Sequence, residues 1–297
     1  MKKKLIMTVA IAFLSSSLYQ VFAQEEKLKH NISKEASKKT SQLRIGVSYV
    51  NDYVYAGRTD SLTSPYLTPY VSYYHRSGFF CKGAISYLTG KSENRIDLVN
   101  LMIGYGFYSA RLFGGASTNL LAFNKESYAI QSEVSASANG YLGYDLGWFD
   151  LTADVSTLMG KELDIISGLE LNKIINIYKN RFTLNPTFYA IGGTQQYYGE
   201  YYTYRSSSAK ARFGRRPGGI NNGPAEPIIV VNETSSFKIL AFEMSLPIHY
   251  TANKLKFSFI PQYAIPVNPS TITVNEITTS EEIKNRLYFT AEISVQL

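Results

Sequence analysis

Few side chains in this sequence could act as nucleophile, general base or metal ligand. Histidine occurs three times, at His30, His75 and His249, and cysteine once, at Cys81. A serine–histidine site needs an imidazole within hydrogen-bond reach of a hydroxyl and a third polar group to orient the ring. His30 lies in a polar N-terminal stretch, and His75 and His249 each sit beside a tight turn, so no such site is expected. A carboxylate-only site built from Glu243 and Glu292 is conceivable, with structural ion pairing as the competing reading. No His/Cys/Asp cluster has metal-ligand spacing. The glycines at Gly192-Gly193 and Gly218-Gly219 do not lead from a strand into a helix, as a phosphate loop requires. Neither a cofactor nor a catalytic role is therefore expected, and a lipid-modifying activity stays the minor alternative.

Charge is the other chemical resource. Arg205, Lys210, Arg212, Arg215 and Arg216 place five cations within twelve residues, a pattern suited to lipopolysaccharide phosphates or to drawing anionic solutes. A second set is dispersed at positions that alternate with apolar neighbours: Lys82, Arg111, Glu133, Asp145, Asp154, Glu170, Glu243, Lys256 and Glu292. The formal charge of +7 falls to +4 once Lys2, Lys3 and Lys4 leave with a leader, too small an excess to indicate nucleic acid. With a single cysteine, no disulfide framework is available.

What positions these residues is a chain in three parts. Residues 1–23 combine a basic start, an apolar run over 5–14 and the small-residue end Val21-Phe22-Ala23, the pattern of a cleaved signal peptide. The apolar run is too short for a membrane anchor. Residues 24–42 read as a polar periplasmic N-terminal tail. From residue 43 to 297 the period switches to two. The hairpin from Tyr66 to Leu88 shows it best: two arms of β-branched and aromatic residues joined by Arg76-Ser77-Gly78. Strands are predicted at 43–55, 66–75, 79–88, 95–107, 111–121, 128–146, 148–158, 163–178, 181–191, 237–250, 255–265 and 286–297. In 149–158, Phe149, Leu151, Ala153 and Val155 alternate with Asp150, Thr152, Asp154 and Ser156.

No apolar run past the leader reaches helix-spanning length, so a membrane crossing demands a closed barrel, which alone among sheets leaves no backbone group unpaired in lipid. About ten residues at roughly 3.3 Å each, tilted, cross a hydrocarbon layer of about 30 Å. The links at 76–78, 108–110, 147, 179–180 and 251–254 are short. Those at 57–65, 89–94, 122–127, 159–162, 192–236 and 266–285 are longer, the weakest of them 159–162. Such alternation is the mark of a barrel with short periplasmic turns and longer external loops. Aromatics cluster beside the short turns, at Tyr73, Tyr74, Phe79, Phe80, Phe107, Tyr108, Tyr144, Trp148, Phe149, Tyr178, Phe182, Tyr250 and Phe257, as an interfacial girdle would. The expected fold is all-β: a single antiparallel up-and-down transmembrane β-barrel of about twelve strands, with a long basic external loop at 192–236.

The closing strand, 287–297, carries Leu287, Phe289, Ala291, Ile293, Val295 and Leu297 on one face and ends at the chain terminus. In this it resembles bacterial outer-membrane β-barrel proteins, although most of those end in an aromatic residue rather than a leucine. The stretch from Pro65-Tyr66-Leu67-Thr68-Pro69 to Ser77-Gly78-Phe79-Phe80 is similar to barrels of Bacteroidetes-type bacteria. The resemblance implies the outer membrane of a Gram-negative bacterium, contact with outer-membrane lipids and lipopolysaccharide, and recognition of the last strand by the barrel-assembly machinery.

On the alternation, Lys82, Arg111, Glu133, Asp154, Glu170, Glu243, Lys256 and Glu292 are candidate lumen-lining residues. Their small inward neighbours, such as Gly46, Ser48, Gly104, Gly106, Gly115, Ser117, Ser135 and Ser137, suggest room for water. A narrow passive, porin-like channel for small polar solutes is the leading expectation. The alternative is a closed-lumen barrel serving as a surface interaction or membrane-structural protein.

Overall fold

The computed structural model describes residues 40–60, 63–90, 94–178, 181–202, 229–274 and 277–297. The predicted signal peptide and nearly all of the predicted tail lie outside them, as do Arg205, Lys210, Arg212, Arg215 and Arg216. The strands are β1 (Gln42–Val50), β2 (Tyr66–Tyr74), β3 (Phe79–Thr89), β4 (Asn94–Ser109), β5 (Leu112–Phe123), β6 (Ala136–Asp145), β7 (Asp150–Met159), β8 (Leu163–Asn172) and β9 (Ile175–Ile177). They continue with β10 (Phe182–Leu184), β11 (Thr187–Gly193), β12 (Ile229–Val231), β13 (Lys238–Ser245), β14 (Ile248–Ala252), β15 (Leu255–Pro266), β16 (Thr271–Val274), β17 (Ile277–Ser280) and β18 (Arg286–Gln296).

Pairing follows chain order from β1 to β8. It then runs β8–β11–β13–β15–β18 and returns to β1, every contact antiparallel, so the sheet closes on itself. The wall has twelve staves, as the alternation predicts. Three of them are broken: β8 continues as β9, β10 as β11, and β13 as β14. Pro186 and Pro247 sit in two of the breaks, where each lacks the amide a ladder needs. Their carbonyls still accept bonds, from Lys173 at 3.1 Å and from Asn185 at 2.9 Å. At one end all five links are tight, and each holds a residue with positive φ: Gly78, Ala110, Gly147, Tyr178 and Asn253.

The wall is inside-out relative to a soluble sheet. Outward positions are apolar and exposed, among them Ile45, Val71, Ile85, Leu101, Ile103, Leu142, Val155, Leu169, Phe259 and Ile293. Inward positions are polar and buried, among them Arg44, Ser72, Asn119, Thr152, Asn172, Gln262 and Thr290. Exposed apolar area on this scale is stable only in lipid, so the fold is that of a membrane-spanning β-barrel. The aromatic girdle is divided. Tyr73, Phe79, Tyr144, Trp148, Phe149, Tyr178, Tyr250 and Phe257 face outward or into the rim, whereas Phe80 and Tyr108 turn inward and are almost wholly buried.

Two stretches predicted as strand do not join the wall. β1 ends at Val50, and residues 53–58 are buried one after another, which a wall strand with two opposite faces cannot be. Residues 128–134 precede β6 as a series of turns with Ala129, Ile130 and Val134 buried. Both segments fold into the barrel from the long-loop end. The loops predicted at 192–236 and 266–285 likewise hold structure: a short helix at 196–202, and a separate three-stranded sheet with the order β12-β16-β17.

Candidate functional site

The inner space falls into two zones. At the long-loop end it is filled by chain. Tyr53 donates to Gln131 at 2.6 Å, tying the first folded-in loop to the second. The second is anchored to the wall through Asp97, whose carboxylate accepts from Ser127 at 2.6 Å, from Arg95 at 2.9 Å and from Tyr66. The helix 196–202 is the third insert. Its free backbone amides at Gln196 and Tyr197 donate to the Asp164 carboxylate of β8, at 2.7 and 2.6 Å, which meets the demand left open at any helix start. The Tyr197 ring then meets Tyr55 edge-on at 5.2 Å between centroids. Tyr201 donates to Asp60 at 2.5 Å and Tyr198 to Glu281 at 2.8 Å. Burial pushes the Tyr197 and Tyr198 hydroxyls well above the ordinary phenol range, so both stay protonated.

Arg58 pins these pieces together. Its guanidinium lies 3.3 Å from Glu281, donates to the carbonyls of Leu240 and Asn268 at 3.3 and 3.2 Å, and sits over the Tyr198 ring. A planar fork with five donors can bind a carboxylate, several carbonyls and a ring face together, which an ammonium cannot do. Positive φ at Ala56 and Gly57 makes the sharp turn that brings Arg58 back under Tyr55, and a Cβ on Gly57 would lie 3.0 Å from Pro266.

Toward the short-turn end the interior is a network of polar and aromatic side chains. One row runs across the wall through paired residues, Thr183–His249–Ser258–Glu292–Ser48–Thr68. Tyr70 donates to Glu292 at 2.7 Å, and the Lys82 ammonium lies 4.1 Å from the Tyr70 ring centre. Tyr189 donates to Asp154 at 3.1 Å, and Asn172 to Glu170 at 2.8 Å.

The candidate lumen residues thus divide. Lys82, Glu170, Glu243, Lys256 and Glu292 are inward and buried, at 7, 2, 5, 9 and 3 % exposure, and Asp154 joins them half-buried. Arg111 does not: it lies exposed in the turn between β4 and β5. Glu133 is not on a strand but in the second folded-in loop, and Asp145 is at the β6 end, where it accepts from the Gly147 amide at 2.7 Å. Ser135 is exposed, not inward.

Four inward glycines have the space beside them filled. A Cβ on Gly46 would fall 2.6 Å from Tyr70 Oη, on Gly104 2.3 Å from Phe80, on Gly115 2.7 Å from Tyr141 Oη, and on Gly168 2.0 Å from Tyr189 Oη. Each glycine is covered by an aromatic ring that leans across from a nearby strand and fills the space its missing side chain leaves. Sequence spacing hides this, because the rings and the glycines lie far apart in the chain.

A serine–histidine pair also forms that the sequence did not suggest. Ser258 Oγ and His249 Nδ1 are hydrogen-bonded at 2.8 Å across β14 and β15, with both side chains turned into the barrel and more than nine-tenths buried. Among the described residues no group of three His, Cys, Asp or Glu could hold a metal ion.

No protein-family model and no curated protein sequence matches the chain. Solved structures with a similar course include the NanC porin, with a TM-score of 0.46 at 11 % identity over 86 % of this chain and 100 % of that one. LpxR from Salmonella typhimurium gives a TM-score of 0.41 at 11 % identity over 85 % and 99 % of the two chains. OmpT (in-vitro folded), an outer membrane protein of Vibrio cholerae in its trimer form, gives 0.30 at 9 % over 86 % and 98 %. At these values the membrane-spanning class rests on the barrel's own closure, its apolar outer belt and its polar interior.

Proposed function

We propose that this chain is an outer-membrane barrel of a Gram-negative envelope whose lumen is closed, and that it acts through its external face and not as a passive pore. The burial of Lys82, Glu170, Glu243, Lys256 and Glu292 carries this reading, since charges lining a water-filled channel would be wet. The same burial argues against the narrow solute channel expected from the inward small residues. The external end offers a folded surface: the inserts locked by Arg58, and above them the β12-β16-β17 sheet, with Val230 and Ile277 exposed. Outer-membrane lipids and lipopolysaccharide are the proposed surroundings, and β18 is the proposed signal for barrel assembly. No enzymatic step is assigned, because Ser258 and His249 offer no approach for a substrate.

Swelling of proteoliposomes in small sugars and amino acids tests the reading. Rates equal to those of protein-free vesicles are expected. Solute-dependent swelling by the unaltered chain would overturn it and restore the channel.

A further inference from the structure

A cavity of about 700 Å³ opens at the short-turn end, away from the plugged mouth. The turn between β4 and β5, the turn between β6 and β7, and the break after β8 form its walls. Arg111, Asp145, Trp148, Asp150, Asn172 and Lys173 line it. Its size falls within the roughly 300–1,000 Å³ usual for small-ligand sites.

Two observations say that the cavity is made to hold something. Asn172 is 2 % exposed; its amide donates to Glu170, yet its Oδ1 has no hydrogen-bond partner among the described residues. A buried acceptor left so is unfavourable, and a ligand hydroxyl or N–H would supply the missing bond. Trp148, the chain's single tryptophan, is 82 % exposed beside it, left uncovered by the described residues.

We propose that this cavity binds a saccharide, specifically a neutral oligosaccharide of N-acetylated sugars presented from the periplasmic side. The chemistry of the lining selects that class. An indole face, electron-rich at its centre, suits the C–H face of a pyranose ring. Asp145 and Asp150, paired across β6 and β7, add carboxylate oxygens to the lining, and the Asn172 oxygen accepts from an acetamido N–H or a hydroxyl. Arg111 and Lys173 balance the two carboxylates, so the site favours neither an anion nor a cation. A free oligosaccharide and a cell-wall glycan strand present the same groups.

The single tryptophan makes the test direct. The refolded full chain is titrated with oligomers of N-acetylglucosamine, with maltodextrins as the control, while Trp148 emission is followed. A saturable change with the N-acetylated series is expected, weakened about tenfold or more in Asn172→Ala and in Asp150→Ala. Arg111→Ala, on an exposed turn, guards against a folding defect and is expected to weaken binding as well. Co-sedimentation with purified cell-wall sacculi separates the sources: pelleting assigns the glycan strand, and soluble binding without pelleting assigns a free oligosaccharide. The proposal is overturned by unchanged emission, by a response that survives undiminished in all three variants, or by a response to lipid alone, which would make Trp148 an interface anchor. Conductance through the barrel has no bearing on these outcomes, so this proposal and the closed lumen fail separately.

Discussion

Arg58, from the first long loop, and Glu281, just after β17, meet at 3.3 Å with both side chains buried, although most of the barrel lies between them in sequence. This contact joins the loops that open and close the chain's circuit of the wall. Breaking a buried pair from one side leaves an uncompensated charge, at a cost of about 3–5 kcal/mol. Arg58→Ala is therefore expected to release residues 51–60 and 267–285 to protease while the wall stays folded. Replacing both partners with Met, of similar bulk and uncharged, is expected to restore most of the protection. Limited proteolysis followed by mass analysis of the fragments reads both outcomes.

The folded-in loops should respond to pH. Burial raises the carboxyl of Asp52, against an opposing hydrogen bond from the Ser64 amide at 3.0 Å, and burial likewise raises Glu133 against the pull of Lys161. A raised carboxyl holds its proton more tightly in the folded than in the unfolded state. Its contribution is thus most favourable in acid and declines as pH rises from the unfolded value through the raised one. Amide-exchange protection at 51–60 and 127–134 is expected to increase from neutral to mildly acidic pH, with little change at β3 and β4. Asp52→Asn and Glu133→Gln should each flatten that response.

Two glycines should behave in opposite ways. Gly168 lies under Tyr189, so Gly168→Ala must push the ring aside and is expected to cost about 1–3 kcal/mol. Gly140 has nothing within 4 Å of a Cβ, and Gly140→Ala is expected to stabilise by about 0.4–1 kcal/mol through the unfolded chain. Urea-driven unfolding in vesicles distinguishes them, and equal effects would contradict the covered-glycine packing.

The wall was legible because a barrel in lipid writes its two faces into every strand: Ile85 beside Ser86, Val155 beside Ser156. The short turns were legible for the same reason. What lies inside the wall was not. Tyr53, Val54, Tyr55 and Ala56 have strand-like composition, and only their failure to alternate in polarity hinted that all their faces are buried. Tyr197, Tyr198, Tyr201 and Tyr202 recur at helical spacing, a signal that a reading of the region as one long loop passes over. Pro186 and Pro247 fall inside the stretches expected as continuous strands at 181–191 and 237–250; their missing amides were a signal for two of the three breaks that the alternation outweighed. Arg58 gave no sign at all, since Glu281 and the carbonyls of Leu240 and Asn268 that hold it lie more than 180 residues away.

The closed lumen is the central claim, and recording single-channel currents across a planar bilayer tests it most directly. The refolded chain is predicted to insert without steady conductance steps, and Arg58→Ala, which frees the long-loop end but leaves the buried charges below it in place, is predicted to give none either. Reproducible steady steps from the unaltered chain would contradict the account.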